Sequence, residues 1–133
     1  YQLNALKKCS DINLHLDATG SVILRPKGEK AYYYYNLILA PSATNSKGNS
    51  KSGRSKLLPV SEMISSSQTS ADIANFLTQV IKDFRILFKK TLKPRSITID
   101  FSHAMLQGLL TAFQLGPIHQ YLDNNDHVQA KIH

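Results

Sequence analysis

The stretch Ile12-Asn13-Leu14-His15-Leu16-Asp17-Ala18-Thr19-Gly20-Ser21-Val22-Ile23-Leu24 decides the fold. Ile12, Leu14 and Leu16 alternate with polar residues, His15 and Asp17 among them. That is the two-residue period of a strand with one buried face. Asp17-Ala18-Thr19-Gly20 interrupts or bends the end of this strand, and Val22-Ile23-Leu24 resumes it. Pro26 and Gly28 mark a turn over 25–30. Residues 31–40 are rich in aromatic and β-branched residues, so they form a second strand and a hairpin with the first. Pro41 ends it. A third strand spans 57–64, and Pro59 places it at a sheet edge or marks its beginning.

Downstream the period changes. Ile73, Phe76, Leu77, Val80, Ile81, Phe84, Leu87 and Phe88 recur at helical spacing and define one buried stripe. Thr69 or Ser70 caps this helix, Asp72 suits the positive end of its dipole, Lys89 and Lys90 suit the other end, and Pro94 stops it. Ser96-Ile97-Thr98-Ile99-Asp100 reads as a fourth strand. Ser102 caps a second helix over 103–114. Residues 118–122 read as a short helical turn, and 127–132 as a fifth strand or a frayed tail. The expected fold class is α/β: a mixed sheet of three antiparallel strands, a helical crossover, a parallel fourth strand and a helix.

A chain of 133 residues, 42% hydrophobic and 19% charged, is one domain over 1–133 with a buried core. No apolar run approaches the roughly 20 residues that span a bilayer, so a membrane is not an expected partner. The first ten residues read as polar and lightly basic, unlike a signal peptide. The first residue is Tyr1 and not Met, which leads to the expectation of a fragment. Cys9 is the only cysteine, so an internal disulfide and a cysteine-built zinc site are excluded and a reducing compartment is expected.

The net charge is +7 and the pI about 9.6, a footprint shared by phosphate-rich partners and by ordinary basic domains. Residues 25–56 carry seven cations (Arg25, Lys27, Lys30, Lys47, Lys51, Arg54, Lys56) against Glu29 alone. Residues 82–95 carry six (Lys82, Arg85, Lys89, Lys90, Lys93, Arg95) against Asp83. Residues 42–56 hold Ser, Gly, Asn and Lys with no large apolar side chain, which reads as a flexible basic loop. Lys47, Lys51, Arg54 and Lys56 there, and Lys82, Arg85 and Lys89 at i, i+3, i+7 on the helix, are either a phosphate-facing set or solvated surface. As phosphate contacts they would set affinity and salt dependence, not sequence choice.

Asp17 and Asp100 sit among apolar neighbours near strand ends. Each caps a local turn, or the two converge if the first and fourth strands are neighbours. Converging carboxylates repel unless a cation lies between them. Oxygen-only ligation favours Mg²⁺ or Mn²⁺, and two such ions activate water and stabilise the leaving oxygen of a phosphodiester.

These segments have a family likeness. Leu14 to Gly20, the hairpin ending at Pro41, Leu58-Pro59-Val60-Ser61-Glu62-Met63-Ile64, the helix from Ile73, and Ile99-Asp100-Phe101-Ser102-His103-Ala104 resemble the RNase H-like core of eukaryotic DDE transposases, nearest to the Mutator-like group. The likeness runs from about residue 12 to 122. It implies that Asp17 and Asp100 are catalytic and hold the metal in a two-metal site of Mg²⁺ or Mn²⁺. It further implies DNA as partner, metal-dependent DNA cleavage and strand transfer as activity, and the nucleus as location. Homo-oligomerisation is compatible with it. The family's third acid lies on a later helix. Asp123 and Asp126 do not match it, so the chain resembles a core truncated before that residue. The alternatives are a domesticated or decayed transposase-derived DNA-binding module without catalysis, and an RNase H-like nuclease unrelated to transposition.

Other residues have double readings. Tyr32-Tyr33-Tyr34-Tyr35 offers base stacking or, with alternate rings on opposite faces, core packing. Glu62 is a family-like position or a surface glutamate on an edge strand. His103 reads as a phosphate or metal aid or a solvated helix start, and His15 shares a face with Asp17. His119 and His127 have no partner at metal spacing.

Overall fold

The computed structural model describes residues 3–9, 11–20, 27–40, 57–100, 102–116 and, by backbone alone, 129–131. Its elements run α1 (Leu3–Lys8), β1 (Asn13–Gly20), β2 (Tyr33–Ala40), β3 (Leu58–Ser65), α2 (Ser70–Phe88), β4 (Ser96–Ile99), α3 (His103–Ala112) and β5 (Gln129–Lys131). The strands form one mixed sheet in the order β3-β2-β1-β4-β5. β1 pairs antiparallel with β2 and parallel with β4; β2–β3 and β4–β5 are antiparallel. The fold class is α/β, as the hydrophobic periods dictate.

Side-chain alternation gives the sheet two unlike faces. Leu14 is in register with Leu39 and Ile97, and Leu16 with Leu37 and Ile99. These leucines, Ile97 and Tyr35 are buried, together with Val60 of β3. α2 completes this core with Ile73, Leu77, Val80 and Phe84, and α3 with Met105, Leu106, Leu109 and Leu110. His15, Asp17 and Thr19, the intervening residues of β1, are exposed on the opposite face. β3 is the sheet edge, and Pro59 sits there, where a missing N–H is tolerated. The partner register shifts between Leu37 and Ile38, beside that proline.

The two helices approach closely at one point. A Cβ on Gly108 would stand 2.8 Å from Cβ and Cγ2 of Ile73 and 2.9 Å from the Ser70 carbonyl oxygen. Only glycine lets α3 sit this near α2, and the contact fixes how both lie on the sheet.

The caps follow the sequence. Thr69 is the N-cap of α2 and its hydroxyl accepts from the Asp72 N–H at 3.2 Å. The Asp72 carboxylate in turn accepts from the hydroxyls of Ser67 and Thr69. These bonds, Ser67's first, hold the Asp72 carboxyl below the usual carboxylate range. Ser102 caps α3 by accepting from the Met105 N–H at 3.4 Å.

Five readings are corrected. The first residues are not merely polar: Leu3 and Leu6 of α1 are buried in the core. That helix is too short to show a period. β1 does not bend at 17–20; it runs unbroken to Gly20, because Asp17 to Gly20 pair in register with Asn36 to Tyr33. Asp17 is therefore within the strand. Helix α2 is not stopped by Pro94 but ends at Phe88, with Lys89 in the left-handed region (φ 53°) and its N–H donating to the Arg85 carbonyl at 2.9 Å. Leu87, placed in the buried stripe by its spacing, is 59% exposed. Phe88 lies beside Lys7 of α1, whose Nζ stands 5.4 Å from the ring centre, and Leu87 is turned about 100° round the helix from it. α3 stops at Ala112, short of 114. The second tyrosine reading holds: Tyr35 is buried, Tyr33 packs against the core, and Tyr34 lies on the other face.

Two outcomes test this description. Gly108→Ala forces α2 and α3 apart and lowers unfolding free energy by about 1–3 kcal/mol, measured by urea denaturation. For Asp72, the folded carboxyl titrates below its unfolded value. Its contribution is therefore complete above the usual carboxylate range and is lost as pH falls through the depressed value. Asp72→Asn melts at a lower temperature than the parent near neutral pH, and the two curves converge in acid.

Candidate functional site

The parallel register of β1 and β4 positions the two predicted aspartates. Leu16 stands opposite Ile99, and the next residue on each chain is Asp17 and Asp100. Neighbouring strands lie about 4.8 Å apart, so the two aspartates occupy adjoining positions at the end of β4. Both are exposed. Asp17 accepts from the Thr19 hydroxyl at 3.4 Å. Among the described residues the one ion pair is Arg95 with Asp11 at 3.1 Å, so no described cation locks either carboxylate.

The same rung continues across the sheet. Asp17 is in register with Asn36 of β2, and Asn36 with Glu62 of β3. The open face thus carries Glu62, Asn36 and Asp17 in line, with Asp100 next beyond β4's last residue. The Asn36 Oδ1 is buried and has no hydrogen-bond partner among the described residues. An acceptor in that state calls for a donor or a cation. Asn36 was legible as the lone amide in an otherwise aromatic and aliphatic strand, but its exposed-face position needed the register. Glu62 is exposed two strands from Asp17, roughly 10 Å by strand spacing, with Asn36 between them.

Tyr34 adds a second polar contact on this face. It pairs with Thr19 on one side and Ile64 on the other. A hydrogen bond to the Glu62 carboxylate raises its phenol pKa above the ordinary value; desolvation and the Glu62 charge act in the same direction. His15 shares the face of Asp17, as its alternation implies, and His103 is an exposed residue in the first turn of α3.

The donors are oxygens of the hard kind that Mg²⁺ or Mn²⁺ prefers. The set is not closed: among the described residues no group of three or more His, Cys, Asp or Glu could hold a metal ion. The fit is thus one of donor type and placement, with two carboxylates of the three that the resemblance implies. Asp123, Asp126, His119 and His127 lie outside the described residues.

The structure does not bring the cations of α2 to this site. Lys82, Arg85 and Lys89 are exposed, on a helix that packs against the opposite face of the sheet. Lys47, Lys51, Arg54, Lys56 and the rest of residues 42–56 lie outside the described residues. No described helix is long and apolar enough to cross a membrane.

Comparison with protein-family models, with curated proteins and with solved structures found no match.

Glu62→Gln removes the carboxylate beside Tyr34. The Tyr34 phenol then titrates at lower pH, toward the ordinary tyrosine value, in a pH series of its NMR ring signals; an unchanged midpoint would show that the two side chains do not interact.

Proposed function

We propose that this chain is the RNase H-like core of a DDE-type transposase, nearest to the Mutator-like group, and acts in metal-dependent DNA cleavage and strand transfer in the nucleus. The observation that carries the reading is the β1–β4 register, in which Asp17 of β1 and Asp100, one residue past β4, directly follow the Leu16–Ile99 pair. The strand order with β1 central and β4 beside it supports the same arrangement.

In this reading Asp17 and Asp100 hold Mg²⁺ or Mn²⁺. The bound ions supply an activated water and charge stabilisation at the leaving oxygen of the phosphodiester. The protein's own contribution is placement. The paired strands fix the backbone beneath Asp17, and Thr19 restrains its carboxylate. The buried Asn36 oxygen offers an acceptor beside Asp17. Asp17 and Asp100 are exposed, so a DNA backbone can reach their carboxylates. The lysines and arginine of 42–56 are proposed to raise affinity for it, with a corresponding salt dependence.

A second reading is a transposase-derived DNA-binding module without catalysis. The absence of a third acidic ligand beside the pair, among the described residues, favours it. Two carboxylates alone bind a divalent ion weakly.

Thermal unfolding during a Mn²⁺ titration separates these readings. Binding to the folded state raises stability by mass action, about 1.4 kcal/mol at ten times the dissociation constant, or a shift of about 5 °C. Asp17→Asn and Asp100→Asn each flatten that response. Equal shifts in all three proteins would remove the metal site. No shift in any, together with retained DNA binding, selects the non-catalytic module.

A further inference from the structure

The C-terminal end of α2 and the connection to β4 form a surface that the carboxylate site does not use. Two contiguous depressions meet there and share Arg85 and Thr91. The larger, about 690 Å³, has an apolar floor that includes Ile12, Ile81, Leu92, Pro94, Phe113 and Leu115. The smaller, about 430 Å³, is bounded by Ile86, Lys89 and Lys90. Ile86 is 62% exposed. Both volumes are in the size range of ligand clefts, and the two depressions adjoin to make one groove at Arg85 and Thr91.

Charge surrounds this groove unequally. Arg85 and Lys93 border the larger depression and Lys89 and Lys90 the smaller. Among the described residues no carboxylate pairs with any of them; Asp11 is engaged by Arg95, and Asp83 accepts from the Gln79 amide at 2.7 Å. An aliphatic floor under a cationic rim is poorly matched to nucleic acid, which brings phosphate and flat bases but no aliphatic anchor. Phe113 is the one aromatic side chain among the lining residues. The groove is well matched to an extended chain carrying both acids and aliphatic side chains.

We propose that this end of the molecule is a docking surface for an acidic peptide segment of a partner protein, with leucine-like anchors in the apolar floor and carboxylates on Arg85, Lys89, Lys90 and Lys93. The surface is independent of the proposed DNA chemistry and lies on the side of the sheet turned away from Asp17. Arg85 and Lys89 serve the peptide here and not DNA at the carboxylates.

The probe is a fluorescently labelled short peptide in which glutamates flank a pair of leucines, followed by anisotropy with the whole chain. The reference peptide has the same charge with serines in place of the leucines. The leucine peptide binds at least about tenfold more tightly than the serine peptide. Arg85→Glu and Ile86→Ser each weaken it about tenfold; both residues are exposed, and circular dichroism verifies that the variants are folded. Asp17→Asn leaves binding unchanged. Equal affinity for the two peptides, or no binding, overturns the proposal. Displacement of the peptide by a DNA oligonucleotide at lower concentration than by unlabelled peptide makes the groove a nucleic-acid surface. Loss of binding in Asp17→Asn would place the peptide on the carboxylate face and equally overturn it.

Discussion

The structure depends on β1 being held in register on both sides at once. Leu14 and Leu16 must meet Leu39 and Leu37 of β2 and Ile97 and Ile99 of β4 on one face. A slip of one residue would turn Asp17 and His15 into the core and both leucines to solvent. Burying an unpaired carboxylate costs several kcal/mol, and exposing two leucines forfeits about 1.5–3 kcal/mol each. A pairing shifted by one residue is therefore not competitive. The same constraint that builds the core therefore fixes Asp17 on the open face.

The helices transmit this order to β4. α2 leaves the edge strand β3, packs across the core face and returns the chain to β4 on the far side of β1. Its start is defined by the reciprocal bonds of Thr69 and Asp72, and its end by Lys89 in the left-handed region. α3 follows β4 directly and lies against α2 at Gly108. The segment between the helices is thereby held from both ends. Asp100 stands between the end of β4 and the Ser102 cap of α3.

The two proposed functions divide along the same plane. One side of the sheet presents carboxylates, an amide acceptor and a tyrosine. The other carries the helices, and at the C-terminal end of α2 a groove that combines aliphatic floor and cationic rim. The proposed metal-dependent DNA chemistry uses the first side, and the proposed peptide docking uses the second. Net positive charge alone would merge the two into one basic surface, yet the arrangement of Arg85, Lys89 and Lys93 around apolar residues separates them.

Much of this was written in local patterns. The alternation of 12–17, the helical stripe from Ile73, the serine and threonine caps, and Pro59 on an edge strand depend only on neighbours a few residues apart, so they were legible before any tertiary contact was considered. Asp17 and Asp100 stood out for the same reason, as acids beside apolar strand residues. Tertiary structure alone decided the rest. α1 is too short for a period and shows its purpose only through Leu3 and Leu6 in the core. Leu87 has the spacing of a buried residue, yet it is exposed. Asn36 gains meaning only from the rung it shares with Asp17 and Glu62. The sequence determined which way each side chain faces along its own element; which elements become neighbours depended on burial between residues up to about eighty positions apart, such as Leu16 and Ile99, and no local preference encodes that.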